Sequence, residues 1–206
     1  QDERTRAGPP LEELEQAIHQ ARVPHPLCAR LIENERRQSL PQVCRQRLEP
    51  GADGGWGIHR ATFDTTRPNG LLFSLDHRTL YVAQSGRRAD EKRQLRAYPV
   101  DDDGGLGDGE VLHDFGEHRG IDGMRLDTEG NLIATAGWEL GGPGPSIYVF
   151  SPSGEVLERH DVPAQRPTNC CFGGDNLDTL YVTTTEGHLL RARTERQARP
   201  LPIPLN

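Results

Sequence analysis

From Trp56 onward, the apolar positions fall in short runs rich in Leu, Val, Ile, Tyr and Phe. Each run is closed by a cluster of Gly, Pro, Asp, Asn or Ser. Short runs between turn signals are the pattern of β-strands, and no long helical stripe interrupts them. Upstream the pattern differs. Leu11, Leu14, Ile18 and Ala21 follow a helical period after Pro9-Pro10, and Leu27, Leu31 and Ile32 mark a second helical piece before Pro41. No aromatic residue occurs among the first 55 residues, whereas all eleven lie after them. A stretch so poor in large apolar side chains buries little surface. Residues 1–55 are therefore expected to form a helical or poorly ordered extension, and residues 56–206 a separate β-rich unit.

Within that unit, three segments align. Arg67-Pro68-Asn69-Gly70-Leu71-Leu72-Phe73 leads through a turn to Leu80-Tyr81-Val82. Gly120-Ile121-Asp122-Gly123-Met124-Arg125-Leu126 leads through Asp127-Thr128-Glu129-Gly130 to Leu132-Ile133-Ala134. Arg166-Pro167-Thr168-Asn169-Cys170-Cys171-Phe172 leads through Gly173-Gly174-Asp175 to Leu180-Tyr181-Val182. Each pair of strands is followed by the start of a second hairpin, which predicts four strands per repeat. The aligned positions Phe73, Leu126 and Phe172 are spaced by 53 and 46 residues, close to the roughly 40–50 of four-stranded propeller blades. The fold class read from this pattern is all-β: a partial β-propeller of about three four-stranded blades. The first strand of each blade would line the central channel, so Asn69, Asp122 and Thr168 form an aligned column. Propellers close with about four to eight blades; three would leave open edges through which the chain could self-associate.

Charge and composition narrow the function. A net charge of −7 argues against a nucleic-acid surface. No apolar run approaches the ~20 residues of a membrane helix, so no membrane partner is expected and the chain is read as soluble. It opens on Gln1, and its compartment, cytoplasmic or periplasmic, is left open. Four cysteines are too few for a disulfide scaffold. Cys170 and Cys171 are read as buried free thiols. Asp101-Asp102-Asp103-Gly104 lacks the ligand alternation of an EF-hand and reads as a hairpin turn. No nucleophile elbow, zinc-protease pair, P-loop or dinucleotide fingerprint occurs.

The repeat carries a resemblance. Arg67-Pro68-Asn69-Gly70-Leu71, Asp122-Gly123-Met124 with Asp127 and Gly130, and Thr168-Asn169-Cys170-Cys171-Phe172-Gly173-Gly174 followed by Leu180-Tyr181-Val182-Thr183 are similar to motifs of the senescence marker protein/gluconolactonase family, in the same order and spacing. The match runs from about Ile58 to Arg193. The resemblance implies the C-terminal half of a six-bladed propeller that hydrolyses sugar or related lactones with a divalent metal in its channel. It implies that Asn69 and Asp122 are metal ligands and that Asp122 is also the general base. The family's early Glu-Gly-Pro ligand motif and its Asn-Asp-Gly segment are not found. Glu49-Pro50-Gly51 has a different residue order, and no strand is read around it.

The chemistry implied by the resemblance suits these residue types. A carboxylate and an amide carbonyl are hard oxygen donors, which suit Ca²⁺ or Mg²⁺. Two oxygen donors do not choose among Ca²⁺, Mg²⁺ and Zn²⁺, and it is the resemblance that puts Ca²⁺ first. Alone, Asn69-Gly70 would read as a hairpin turn and Asp122 as a turn aspartate before glycine. His118 and Arg119, just before Asp122, and Asn169 in the next blade are the candidate substrate-binding residues. The small-molecule partner is then a lactone. The competing reading is a non-catalytic propeller remnant that acts as a binding or structural module.

Overall fold

A computed structural model describes residues 46–50 and 55–200. The expected extension lies outside the described residues, apart from its last strand. Gln46–Pro50 (β1) pairs antiparallel with Trp56–Arg60 (β2), with Glu49 opposite Gly57 and Pro50 opposite Trp56. Glu49 and Pro50 therefore do lie in a strand, contrary to the reading of the sequence. With one apolar residue, Leu48, in five, the segment has no alternation to betray it.

The three aligned segments become three antiparallel meanders. Pro68–Phe73 (β3), Thr79–Ser85 (β4), Arg93–Pro99 (β5) and Glu110–Asp114 (β6) form the first. Ile121–Leu126 (β7), Leu132–Trp138 (β8), Gly141–Phe150 (β9) and Val156–Asp161 (β10) form the second. Pro167–Gly173 (β11), Thr179–Thr184 (β12) and Leu189–Arg193 (β13) form the third. All described residues are strand, turn or coil. Among the described residues, the third sheet has three strands where four were expected. After Arg193 the chain is drawn back over the turns: Thr194 N–H donates to Asp178 O (2.8 Å), Ala198 N–H to Leu177 O (3.1 Å), and Gln197 O accepts from Thr128 N–H (2.7 Å). A backbone held by loops in this way does not add to β13.

The strands in the middle of the second sheet, β8 and β9, are buried on both faces because that sheet lies between the other two, whereas β12 of the third sheet alternates buried with half-buried or exposed positions. In β4, Tyr81 and Ala83 face the second blade while Leu80 and Val82 face a separate cluster with Tyr98. In β8 and β9, Leu132, Ala134, Tyr148 and Phe150 face the first blade, and Ile133, Ile147 and Val149 face the third with Cys170, Leu180 and Val182. The two-residue period of a strand thus sends alternate side chains into two different cores. Full burial of each large apolar side chain contributes about 1.5–3 kcal/mol. Aromatic contacts add to the inter-blade core, with Phe115 edge-on to Tyr148 at 5.6 Å and Tyr148 stacked on Phe150 at 5.6 Å. The outermost strands β6 and β10 are largely exposed.

The innermost strands lie side by side, β3 beside β7 and β7 beside β11. All three carry a pairing irregularity near their start: between Pro68 and Leu71, between Ile121 and Met124, and between Pro167 and Asn169. Bulges re-aim side chains and are frequent next to active sites. Here the first two fall on Asn69-Gly70 and Asp122-Gly123. Neither dipeptide is a hairpin turn; both lie within strands.

Candidate active site

The bulge in β3 and the bulge in β7 bring Asn69 and Asp122 together although 53 residues separate them. Asn69 Nδ2–H donates to Asp122 Oδ1. The glycine after each residue lets the strands approach. A methyl group on Gly70 would overlap the carbonyl oxygen of Asp122, and one on Gly123 would come within 2.7 Å of the Asn169 Cα. The Ser85 hydroxyl, at the end of β4, donates to Ile121 O and ties the first blade to the backbone just before Asp122.

The second carboxylate oxygen, Oδ2, accepts from Arg119 Nη2–H. Arg119 sits three residues upstream, in the loop that enters β7. Its Nη1 donates to Gly137 O (2.8 Å) and to Pro167 O (3.4 Å), and its own carbonyl accepts from Gly137 N–H (3.1 Å). One guanidinium therefore joins the start of β7, the end of β8 and the start of β11. The Asp122 and Arg119 side chains are about four-fifths buried, at 19% and 22% exposure, so this pair is screened less than a surface ion pair.

A second charged group borders the first. Glu139, just beyond β8, pairs with Arg166 at 3.0 Å, and the Arg166 guanidinium lies 5.3 Å from the Trp138 ring centroid. The Glu139 backbone amide, Arg166 and the nearby Arg119 hold its carboxyl below the usual range. Its Oε2 is buried without a hydrogen-bond partner. Sequence reasoning missed Glu139, Arg166 and Trp138. The only available sign was position: all three flank the strand ends where β8 and β11 meet the channel.

The remaining candidates divide. Asn169 packs its side-chain amide and α-carbon on Gly123, and its Oδ1 accepts from Cys170 N–H (2.9 Å). Thr168 turns away, donating to Thr183 O (3.1 Å) within its own blade. The ring of His118 packs against the backbone of Gly142, and no described hydrogen bond links it to Asp122 or Asn69. Of the adjacent thiols, only Cys170 is buried; Cys171 is exposed. The expectation of two buried cysteines fails because consecutive strand residues face opposite sides of the sheet.

A divalent cation would meet a small set of oxygen donors here. A carboxylate and an amide at the meeting of two innermost strands are oxygen donors of the right kind, with the second carboxylate oxygen held by Arg119. The types fit. The described residues supply two side-chain donors of the six to eight that Ca²⁺ takes, and they contain no cluster of three or more His, Cys, Asp or Glu that could hold a metal.

Meandering blades whose innermost strands present an amide–carboxylate pair at a shared axis define a β-propeller protein with a polar channel site. The comparisons give the family. The model of the SMP-30/Gluconolactonase/LRE-like region matches residues 42–186, and the chain belongs to that family. It is 35% identical over 138 residues to a gluconolactonase of Zymomonas mobilis, covering 63% of this chain and 35% of that protein. It is 33% identical over 132 residues to a 6-deoxy-6-sulfogluconolactonase of Pseudomonas putida, covering 62% and 42%. Among solved structures, a luciferin-regenerating enzyme superposes with a TM-score of 0.60 at 25% identity, covering 78% of this chain and 56% of that one. The chain spans less than half the length of these two lactonases.

Proposed function

We propose that this chain is the site-bearing part of a metal-dependent hydrolase of a sugar or related lactone. The observation that carries the reading is the meeting of Asn69 and Asp122 across two blades, at the positions the family motifs single out. Membership of a family that includes sugar lactonases supports the substrate class.

Asn69 and Asp122 would hold the cation, Ca²⁺ in the first instance. When bound, the cation supplies Lewis-acid polarisation of the lactone carbonyl and stabilisation of the developing oxyanion. Asp122 takes the proton from the attacking water, as the carboxylate that meets Asn69. Arg119 and Asn169 border that pair and contact the lactone's oxygens, and His118, next to Arg119, extends this wall. The remaining cation ligands and the opposite wall come from outside the described residues, which is why the activity belongs to the completed ring.

The alternative is a non-catalytic module. It is favoured by one observation, that both Asp122 oxygens are already engaged, one by Asn69 and one by Arg119. A lactonase assay with glucono-δ-lactone and a pH indicator, with and without Ca²⁺, separates the two. Calcium-dependent turnover by the protein with its ring completed, lost in Asp122→Ala of the same protein, supports the hydrolase; identical rates in the two reject it.

A further inference from the structure

We infer that Arg119 is a resident counter-ion of Asp122, which a divalent cation must displace from Oδ2. It is thereby a positioning residue that sets the affinity of the site for the cation. The inference rests on the metal-site reading above and adds the regulation of that site.

Three observations carry it. First, the Arg119 guanidinium is gathered by the kind of oxygens that a hard cation takes: one carboxylate oxygen and the backbone carbonyls of Gly137 and Pro167. Second, the charge compensation is local. Arg119 bonds Asp122 directly, whereas Glu139, the other nearby acid, is matched by Arg166. Third, Arg119 is anchored independently of Asp122. Its Nη1 donates to Gly137 O and Pro167 O and its backbone carbonyl accepts from Gly137 N–H, so the loop has ties to β8 and β11 besides the ion pair, and the Nη1 contact with Gly137 readjusts as Nη2 lets go. A cation arriving at Asp122 therefore exchanges one positive partner for another without unfolding the loop. The released Nη2–H then faces the channel, where it can bond a lactone oxygen.

The consequence has a sign that structural damage would not produce. Removing the guanidinium leaves a largely buried carboxylate without its positive partner, and such a group binds an added cation more tightly. Glutamine retains a neutral donor for the Gly137 carbonyl. Calcium titrations by calorimetry of the full chain, Arg119→Gln and Asp122→Asn are the test. Arg119→Gln is expected to bind Ca²⁺ about tenfold more tightly than the unaltered chain, and Asp122→Asn to lose binding. Equal or weaker affinity in Arg119→Gln overturns the inference and leaves the metal reading standing. Absence of calcium binding in the chain and in Arg119→Gln alike overturns both.

A second measurement does not depend on Arg119→Gln folding. Trp138 follows Gly137, whose carbonyl holds Arg119, and Trp56 is the only other tryptophan. In a Trp56→Phe chain, Ca²⁺ is expected to shift the Trp138 emission, and the shift is expected to vanish in Trp56→Phe/Asp122→Asn. A calorimetrically saturated chain with unchanged Trp138 emission overturns the displacement.

Discussion

Gly70 packs its α-carbon directly against the backbone carbonyl of Asp122, so the first and second blades touch at a point where no side chain fits. The contact explains why each functional residue is followed by glycine: Asn69 and Asp122 meet because Gly70 lets β3 approach β7, and Gly123 in turn lets β7 approach Asn169 of β11. Ala at position 70 would meet backbone, which moves less readily than a side chain. Gly70→Ala is expected to destabilise the chain by about 1–3 kcal/mol, lowering Tm by roughly 3–10 °C in a thermal melt. A Tm unchanged within a degree or so would show that the blades slide apart freely and that Gly70 does not set their spacing.

The architecture was legible because alternation, turn residues and a repeat agreed. Runs such as Leu80-Tyr81-Val82 and Leu132-Ile133-Ala134 are apolar at every position, which is what a strand buried on both faces requires. Asn69 and Asp122 became legible only through their equivalent places in that repeat; as isolated Asn-Gly and Asp-Gly dipeptides they signal turns. The Arg119 bridge was not legible, since its acceptors are the backbone carbonyls of Gly137 and Pro167, and backbone acceptors carry no residue code. Glu139 was hidden for a related reason: its partner Arg166 lies in another blade, at a distance along the chain that no periodicity reports. That no fourth strand joins the third blade among the described residues follows from side-chain and backbone capture of residues 194–198 by the 177–178 turn and Thr128, again a tertiary effect.

Asp127 is 2% exposed and fully occupied as an acceptor. Oδ1 takes the amides of Glu129 (2.9 Å) and Asn131 (2.8 Å), and Oδ2 takes Asn131 Nδ2–H (2.9 Å) and Arg196 Nη1–H (2.7 Å). Arg196 also bonds Glu158, so it links the hairpin turn, the outermost strand of the second blade and the C-terminal tail. Asp127→Ala strands several of these donors at once and is expected to cost about 3–5 kcal/mol, with Asp127→Asn costing less because an acceptor remains. Urea unfolding midpoints check the order. An Asp127→Ala midpoint close to that of the unaltered chain would show that the turn stands without its side-chain network.

Cys170 and Cys171 differ in chemistry despite adjacency. Burial pushes the Cys170 thiol up to about 12, so its thiolate fraction at pH 8 is on the order of one in ten thousand. Cys171 is exposed. In a Cys28→Ser/Cys44→Ser background, brief treatment with iodoacetamide at pH 8 followed by peptide mass mapping is expected to label Cys171 alone. Comparable labelling of Cys170 in the folded chain would mean that the core formed by Ile133, Ile147, Val149, Leu180 and Val182 opens readily.

His113 stands edge-on to Phe115 at 4.7 Å and tilted against Phe150 at 5.1 Å. Desolvation in this aromatic setting lowers its pKa below the ordinary value, more strongly than the neighbouring Asp114 raises it. Between the folded value and the ordinary value of about 6.5, the unfolded chain binds more protons than the folded one, so stability rises with pH across that window. The contribution is fully present above the ordinary value and is lost as the pH falls through the window. Chemical-shift titration is expected to place the His113 midpoint below that of a free histidine. The decline in Tm from pH 7 to pH 5 is expected to be shallower in His113→Phe, where nothing in the ring can take up a proton. An identical pH slope in the two proteins, or a His113 midpoint at or above the ordinary value, would show that this face of β6 is hydrated and that the blades meet there less tightly than their ring geometry indicates.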